Sequence, residues 1–360
     1  MNRDYLKLTA YFGERLRTHA GGAGRFTADA LLDLYGSESV ATSIMLRGIA
    51  SFGPHDVLRS DVTLSMSEDP PVAVIAVDTA ERIAGLADQA VAMTARGLIT
   101  LERAQLVTPP AVPSLPGTTR LTVYVGRRHR VGGRPAHQVV CDILHRHGFF
   151  GATVFLGVDG TVHGQRRRAE FFSRNADVPV MIVAVGTGEC VERALPELRA
   201  LPDGPLYTVE RAQLCKNGGR LIAPPVALPA TDAHGLTLWQ KLMVHTSEAD
   251  RHHGQPIHRA IVARLRESRA AGGATVLRGV WGFRDSGPPH GDELVQLGRQ
   301  VPVTTVVIDT PERIAASFEI VDQLTERHSL VTCEMVPALT AIDDAPARRR
   351  GGMRLASHDY

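Results

Sequence analysis

Cysteine is scarce in this chain: four in 360 residues, Cys141, Cys190, Cys215 and Cys333, with no pair at C-x-x-C spacing. Such a set builds neither a disulfide framework nor a cysteine zinc site, and the four read as buried thiols. An excess of either charge is missing too. Lys+Arg number 40 against 38 Asp+Glu, a formal net charge of +2, so no broad positive field exists to grip a phosphate backbone. Nucleic acid is therefore excluded as the default partner. No apolar run approaches the ~20 residues of a membrane-spanning helix. The opening stretch mixes Arg3, Asp4 and Lys7 into its apolar residues, unlike a signal peptide, and the expected location is the cytoplasm.

Catalytic signatures are absent as well: no G-x-S-x-G elbow, phosphate-binding loop with Lys-Ser/Thr, H-E-x-x-H or dinucleotide fingerprint. No constellation of acid, base and nucleophile recurs, so a non-enzyme without a cofactor is expected, an enzyme built on a carboxylate such as Glu102 or Glu210 being the weakest reading. Fifteen histidines include His252-His253 with His258, and His145 with His147. Neither set has the i, i+4 spacing that puts two ligands on one helix face, and no metal site is nominated.

What the chain does contain is itself, three times over. Met45-Leu46-Arg47-Gly48-Ile49-Ala50-Ser51-Phe52 recurs as Val276-Leu277-Arg278-Gly279-Val280-Trp281-Gly282-Phe283, and more loosely as Val154-Phe155-Leu156-Gly157. Lys7-Leu8 returns as Arg120-Leu121 and Lys241-Leu242, and Asp78-Thr79-Ala80-Glu81-Arg82-Ile83 as Asp309-Thr310-Pro311-Glu312-Arg313-Ile314. The closing Leu101-Glu102-Arg103-Ala104 is echoed by Val209-Glu210-Arg211-Ala212 and faintly by Cys333-Glu334. The period is that of a whole domain, with boundaries at 3–108, 119–216 (divergent) and 237–338. Thr108 to Gly117 and Asn217 to Gly235 read as extended linkers. The tail, 339–360, with Arg348-Arg349-Arg350, is expected to be disordered.

Within repeat one, periodicity predicts strands over Tyr5–Phe12, Val40–Ile49, Val72–Val77 and Leu98–Val107, and helices over Thr27–Tyr35 and from Thr79 to about Ala95. The order β-α-β-β-α-β is the split βαβ, ferredoxin-like arrangement of an α+β fold. Both helices then lie on one sheet face, and the other face needs a cover that three sheets in one chain can supply to one another.

Tyr11-Phe12-Gly13-Glu14, the Leu-Arg-Gly-Ile/Val-x-x-Phe segment, Ser67-Glu68-Asp69-Pro70-Pro71-Val72 and Gly97-Leu98-Ile99-Thr100-Leu101-Glu102 together resemble the PII-like family catalogued as domain of unknown function 190. The resemblance covers most of repeats one and three and repeat two more loosely. It implies subunits that trimerise as nitrogen-regulatory PII proteins do, here as a covalent pseudo-trimer that is a monomer in solution. It also implies a small-molecule or nucleotide effector held between subunits, a signalling loop after strand two, and a protein partner, a membrane transporter among the candidates, since members are often encoded beside putative fluoride channels.

The candidate ligand site is the end of strand two, where Gly lets backbone approach a ligand and Arg can fork onto phosphate oxygens: Arg47 and Gly48, Arg278 and Gly279, and Gly157, which lacks the Arg. The alternative is that Arg47 and Arg278 pair with a carboxylate such as Glu102 or Glu334. The candidate partner loop holds Gly53, His55 and Asp56 in repeat one and Arg284, Asp285 and His290 in repeat three, with Arg166-Arg167-Arg168 in repeat two. The expected function is a non-enzymatic regulator binding a small anion or nucleotide between repeats. A ligand-free structural or adaptor protein is the alternative.

Overall fold

The computed structural model describes residues 4–18, 24–53, 58–60, 69–107, 117–162, 165–166, 178–202, 204–284, 287–291, 301–327, 329–343 and 349–358. Repeat one comprises β1 (Asp4–Gly13), α1 (Thr27–Ser37), β2 (Thr42–Phe52), β3 (Pro71–Thr79), α2 (Ala80–Met93) and β4 (Gly97–Leu106). Repeat two has β5 (Thr118–Gly126), α3 (Ala136–Arg146), β6 (Gly151–Leu156) continued by β7 (Asp159–Val162), β8 (Pro179–Thr187), α4 (Gly188–Arg199), β9 (Leu206–Arg211) and β10 (Gln213–Asn217). Repeat three has β11 (Trp239–Ser247), α5 (Ile257–Ser268), β12 (Ala274–Arg278) continued by β13 (Trp281–Arg284), β14 (Pro302–Asp309), α6 (Pro311–Leu324) and β15 (Leu330–Val336). Each repeat is thus a mixed α/β domain in which the first strand lies antiparallel between the third and the last, and the second edges the third.

β1 shows how sequence decides the layers. Leu6, Leu8, Ala10 and Phe12 face α1 and α2 in one apolar core, as period-two alternation requires. Lys7 and Thr9, on the opposite face, are buried as well. An alternating strand ordinarily exposes its polar face; here the other repeats cover it.

The repeats exchange strands in a closed cycle. The far end of β2 pairs with β12 of repeat three, β7 pairs with β2 of repeat one, and β13 pairs with β6 of repeat two. The last strands run the other way round: β4 joins β9, and β10 joins β15. Beyond repeat three, β16 (Ala338–Ile342) joins β4 of repeat one and is backed by β17 (Arg349–Gly352). Each core is completed by visitors: Phe283 enters that of repeat two, Ala50, Phe52 and Cys215 that of repeat three, and Ala338 and Ile342 that of repeat one.

Two cationic side chains, Arg166 half-buried and Lys216 buried, reinforce the junctions. Arg166 of repeat two holds Asp159 at 2.6 Å and reaches Asp29 and Asp33 of α1, both at 2.5 Å. Lys216 of β10 caps the C-terminus of α6, donating to the carbonyls of Asp322 at 3.1 Å and Thr325 at 2.9 Å, where a cation also favours the helix dipole.

The tail differs from expectation. Instead of disorder after Leu339, it forms β16 and β17 and returns to bury Ala356 completely. Its apolar residues are spread over a hairpin and too few to show a period. The Asn217–Gly235 linker also begins with a short hairpin, Arg220–Leu221 folding onto β10; residues 108–116 of the first linker lie outside those described. No helix among the described residues is long and apolar enough to cross a membrane.

Candidate functional site

Two features mark the interior: a ring of charges where the three sheets meet, and a cleft between repeats one and three. The ring begins with register. Lys7 lies opposite Glu102, Arg120 opposite Glu210, and Lys241 opposite Glu334, on the first and last strand of each repeat. Each carboxylate also meets a cation of another repeat: Glu210 accepts from Lys7 at 3.0 Å, Glu334 from Arg120 at 2.6 Å, and Glu102 from Lys241. Lys7 holds Glu102 at 2.8 Å and Lys241 holds Glu334 at 3.0 Å. Arg120 additionally contacts Glu102 at 3.2 Å and its own Glu210, so one guanidinium touches all three carboxylates.

All six side chains are buried. The three glutamates bring carboxylate oxygens within 4.8 Å of one another, as metal ligands do. Three cations among three carboxylates already balance the charge, so the set is complete without an ion. Burial pushes the Glu102 carboxyl up, but Lys241, Lys7 and Arg120 overcome this and hold it well below the usual carboxylate range.

A pH dependence follows. Because the folded-state pKa of Glu102 is depressed, its stabilisation is fully present above its unfolded value of ~4.3 and is lost as pH falls through the lower folded value. Thermal unfolding followed from pH 7 downward is expected to show the Glu102 contribution intact to about pH 4 and falling only below it. Loss of that contribution already at pH 6 would contradict this.

The second feature is a cavity of about 220 Å³. One wall comes from repeat one: Tyr11, Phe52, Gly53 and Leu98. The facing wall is Gly273, Ala274, Thr275, Val306 and Ile308 of repeat three. Arg59, Arg96 and Arg350 line it together with Asp69, Asp309 and Asp343, and Trp239 contributes an aromatic face with the Arg350 guanidinium 5.8 Å from its ring centre. Arg59 is held by Asp69 at 3.3 Å.

The same nine positions recur between repeats three and two. His245, Phe283, Arg284 and Leu330 take the places of Tyr11, Phe52, Gly53 and Leu98; Gly151, Ala152, Thr153, Val183 and Val185 form the other wall. That cleft is shut, with a volume of about 0 Å³. Arg284, where repeat one has glycine, is fixed by Asp250 at 2.9 Å, and Phe283 packs edge-on against His145. Burial, then Arg120 and Arg284, lower His245 to about 3, leaving it neutral. Between repeats two and one the Thr161 hydroxyl bonds Ser43 at 2.8 Å, and Tyr124 packs with Ile44, Ile75 and Val77.

The nominated residues fall in different places. Arg47 forks onto Glu14, with Nε to Oε2 at 3.1 Å, and Arg278 pairs with Glu248. They therefore pair with carboxylates at the end of their own first strands; Glu102 and Glu334 belong to the ring. Gly48, Gly157 and Gly279 sit where strands of two repeats cross. A Cβ on Gly48 would lie 2.7 Å from the Val276 carbonyl oxygen, on Gly157 2.9 Å from Ile44 Cγ1, and on Gly279 2.7 Å from Thr153 Cγ2. The close approach these glycines permit is to a neighbouring repeat.

Of the loop residues, Gly53 lines the open cleft and Arg284 fills the shut one. His290 bonds the Pro288 carbonyl at 3.0 Å. His55, Asp56, Asp285, Arg167 and Arg168 lie outside the described residues. His147 pairs with Glu197 at 2.7 Å, and His252 stacks edge-on with His253. The residues that sequence reasoning did not assemble are the ring and the Arg59, Arg96, Arg350 and Trp239 lining. The ring had a signal: a cation and a glutamate recur at matching places in all three repeats.

The profile of the family DUF190, described as "Uncharacterized ACR", matches residues 5–106, 118–214 and 239–338. A UPF0166 protein of Methanocaldococcus jannaschii, MJ1524, is 35% identical over 80 residues, covering 22% of this chain and 72% of that protein. A UPF0166 protein of Aquifex aeolicus is 30% identical over 99 residues, 27% of this chain and 90% of that one. Among solved structures, an aspartate kinase from Synechocystis aligns over 94% of this chain, which spans 45% of that one, at 12% identity and a TM-score of 0.24. So low a score carries no argument.

Proposed function

Because this chain belongs to the DUF190 family of uncharacterized proteins, carrying three tandem copies of its domain, we propose that it is a non-enzymatic, PII-like regulatory protein of the cytoplasm. In this reading three ferredoxin-like domains form a covalent pseudo-trimer, and one small anionic ligand or nucleotide binds between repeats one and three. The observation that carries it is the contrast between two equivalent clefts, one open at about 220 Å³ and lined by three arginines among three aspartates, the other filled by Arg284. Packing alone would favour filling both. An open, mostly preformed concavity with a few polar groups is what ligand sites share. A ligand there bridges two repeats and favours whichever arrangement it binds more tightly, which a protein partner reads.

The adaptor reading has its own support, since Arg47 and Arg278 are occupied by carboxylates and the equivalent cleft is shut. Gly53→Arg separates the two. It copies Arg284 into the open cleft, at a position where an added Cβ meets nothing within 4 Å. Nucleotides and small anions are screened by thermal shift; a ligand at a hundredfold excess over Kd stabilises by about 2.7 kcal/mol. The expected result is a rise in Tm for the native chain that vanishes in Gly53→Arg, whose ligand-free Tm is unchanged. If nothing shifts the native chain, the adaptor reading prevails.

A further inference from the structure

Each repeat turns from its first strand to its first helix in the same way. Glu14, Arg127 and Glu248 are equivalent, their N–H groups bonding the carbonyls of Pro70, Val178 and Val301 at 2.8, 3.1 and 2.9 Å. Two residues on, the carbonyls of Leu16, His129 and Asp250 accept from the first helical residue, Thr27, Ala136 or Ile257. On the second strand Arg47, Leu156 and Arg278 share one register, opposite Val72, Val180 and Val303 of the third. Repeats one and three therefore fasten this corner with an internal ion pair, Glu14 to Arg47 and Glu248 to Arg278. Repeat two does the reverse: an arginine replaces the carboxylate, and a leucine replaces the arginine that would have met it.

The reversal leaves charge uncompensated. From Arg127 to His137 the chain carries four arginines and no carboxylate. Arg134 is held by Asp142 of α3 at 2.8 Å. Arg127, Arg128 and Arg130 make no ion pair among the described residues. Arg128 and Arg130 are exposed and Arg127 is half-buried. The charges also lie close together: burial first, then Arg130 and Arg127, lower His137 to about 4, so two of the guanidiniums act on one imidazole of α3.

We propose that the loop from Arg127 to Arg130 is a docking surface for a carboxylate-rich segment of a partner protein, which brings from outside the acid that repeats one and three supply themselves. Three guanidiniums within four consecutive residues span at most ~10 Å of chain and suit about three carboxylates, one to each fork. Duplex nucleic acid is gripped through about 6–10 phosphate contacts, more than this loop offers. A membrane surface is held by clusters of about 4–8 Lys/Arg beside an apolar anchor, and among the described residues none of the exposed large apolar side chains lies on this loop. The surface belongs to repeat two, which contributes nothing to the cleft between repeats one and three, so the two sites stand or fall separately.

The test uses the full chain and a fluorescein-labelled oligoglutamate peptide, followed by anisotropy at low salt. Saturable binding is expected, weakening as salt is added. Changing Arg127, Arg128 and Arg130 together to Gln is expected to weaken it about tenfold or more. Arg220→Gln with Arg251→Gln and Arg264→Gln removes the same charge from three exposed arginines elsewhere and is expected to stay within about twofold of the native chain. The imidazole NMR signals of His137 report the place and are expected to shift on binding at pH 7. Absence of binding overturns the proposal, as do equal losses in the two triple variants or His137 signals that stay put with peptide bound. Tighter binding to a single-stranded oligothymidylate of equal charge, or to phosphatidylserine vesicles, also overturns it and assigns the loop to nucleic acid or membrane.

Discussion

Arg120→Met is expected to lower the unfolding free energy by about 3–5 kcal/mol, the cost of leaving buried charges without their partner. Methionine keeps much of the side chain's bulk, so the loss reports charge rather than a void. What remains is Glu102, Glu210 and Glu334, three carboxylates within 4.8 Å of one another, with only Lys7 and Lys241 to neutralise them. Arg120→Lys keeps the charge but not the fork that reaches all three, and recovers part of the loss. Urea denaturation measures both. A methionine variant within about 0.5 kcal/mol of the native chain would mean that the ring sets the register of the repeats without stabilising them.

Gly157→Val is expected to be the second large effect. A Cβ there would sit 2.6 Å from the Pro179 carbonyl oxygen of its own repeat and 2.9 Å from Ile44 Cγ1 of repeat one, so β8 must shift within repeat two and the Ile44 side chain must give way across the junction. Overpacking of this kind costs about 1–3 kcal/mol, and a backbone oxygen yields less readily than a side chain. Gly53→Ala is the control: it has open space around it and is expected to stay within about 0.5 kcal/mol. The comparison is of denaturation midpoints at equal slope. If both variants lie together near the native value, the packing around Gly157 is looser than the contacts state.

The element order of repeat one was legible because β1, β3 and the helices carry their patterns locally. Pro311 opens α6 at the position where its missing N–H is harmless. Thr79 precedes α2 as expected, yet its hydroxyl makes no cap; the Asp78 carboxylate accepts the Thr79 N–H at 2.6 Å instead. The Arg-Gly motif was visible, but its meaning depends on a strand about 230 residues away, and no local pattern says which backbone will lie against a glycine. Lys7, Glu102 and their copies were visible as repeated letters. That they converge follows only from the register of three sheets at once. The cleft was least legible, because its walls are ordinary residues whose importance lies in what faces them across a junction.

The cyclic exchange of strands has a consequence for any shortened form of this chain. Every repeat both lends a strand and receives one, so removing repeat three leaves β2 without β12, and β6 without β13. Unpaired edges of that kind recruit other chains. Rings of three repeats cannot be filled by one chain carrying two, but three such chains supply six repeats, enough for two full rings sharing one split chain. A two-repeat fragment is thus driven toward trimers of chains, or toward open polymers where the split chain fails to close. Fusion into one polypeptide fixes the count at three within each molecule.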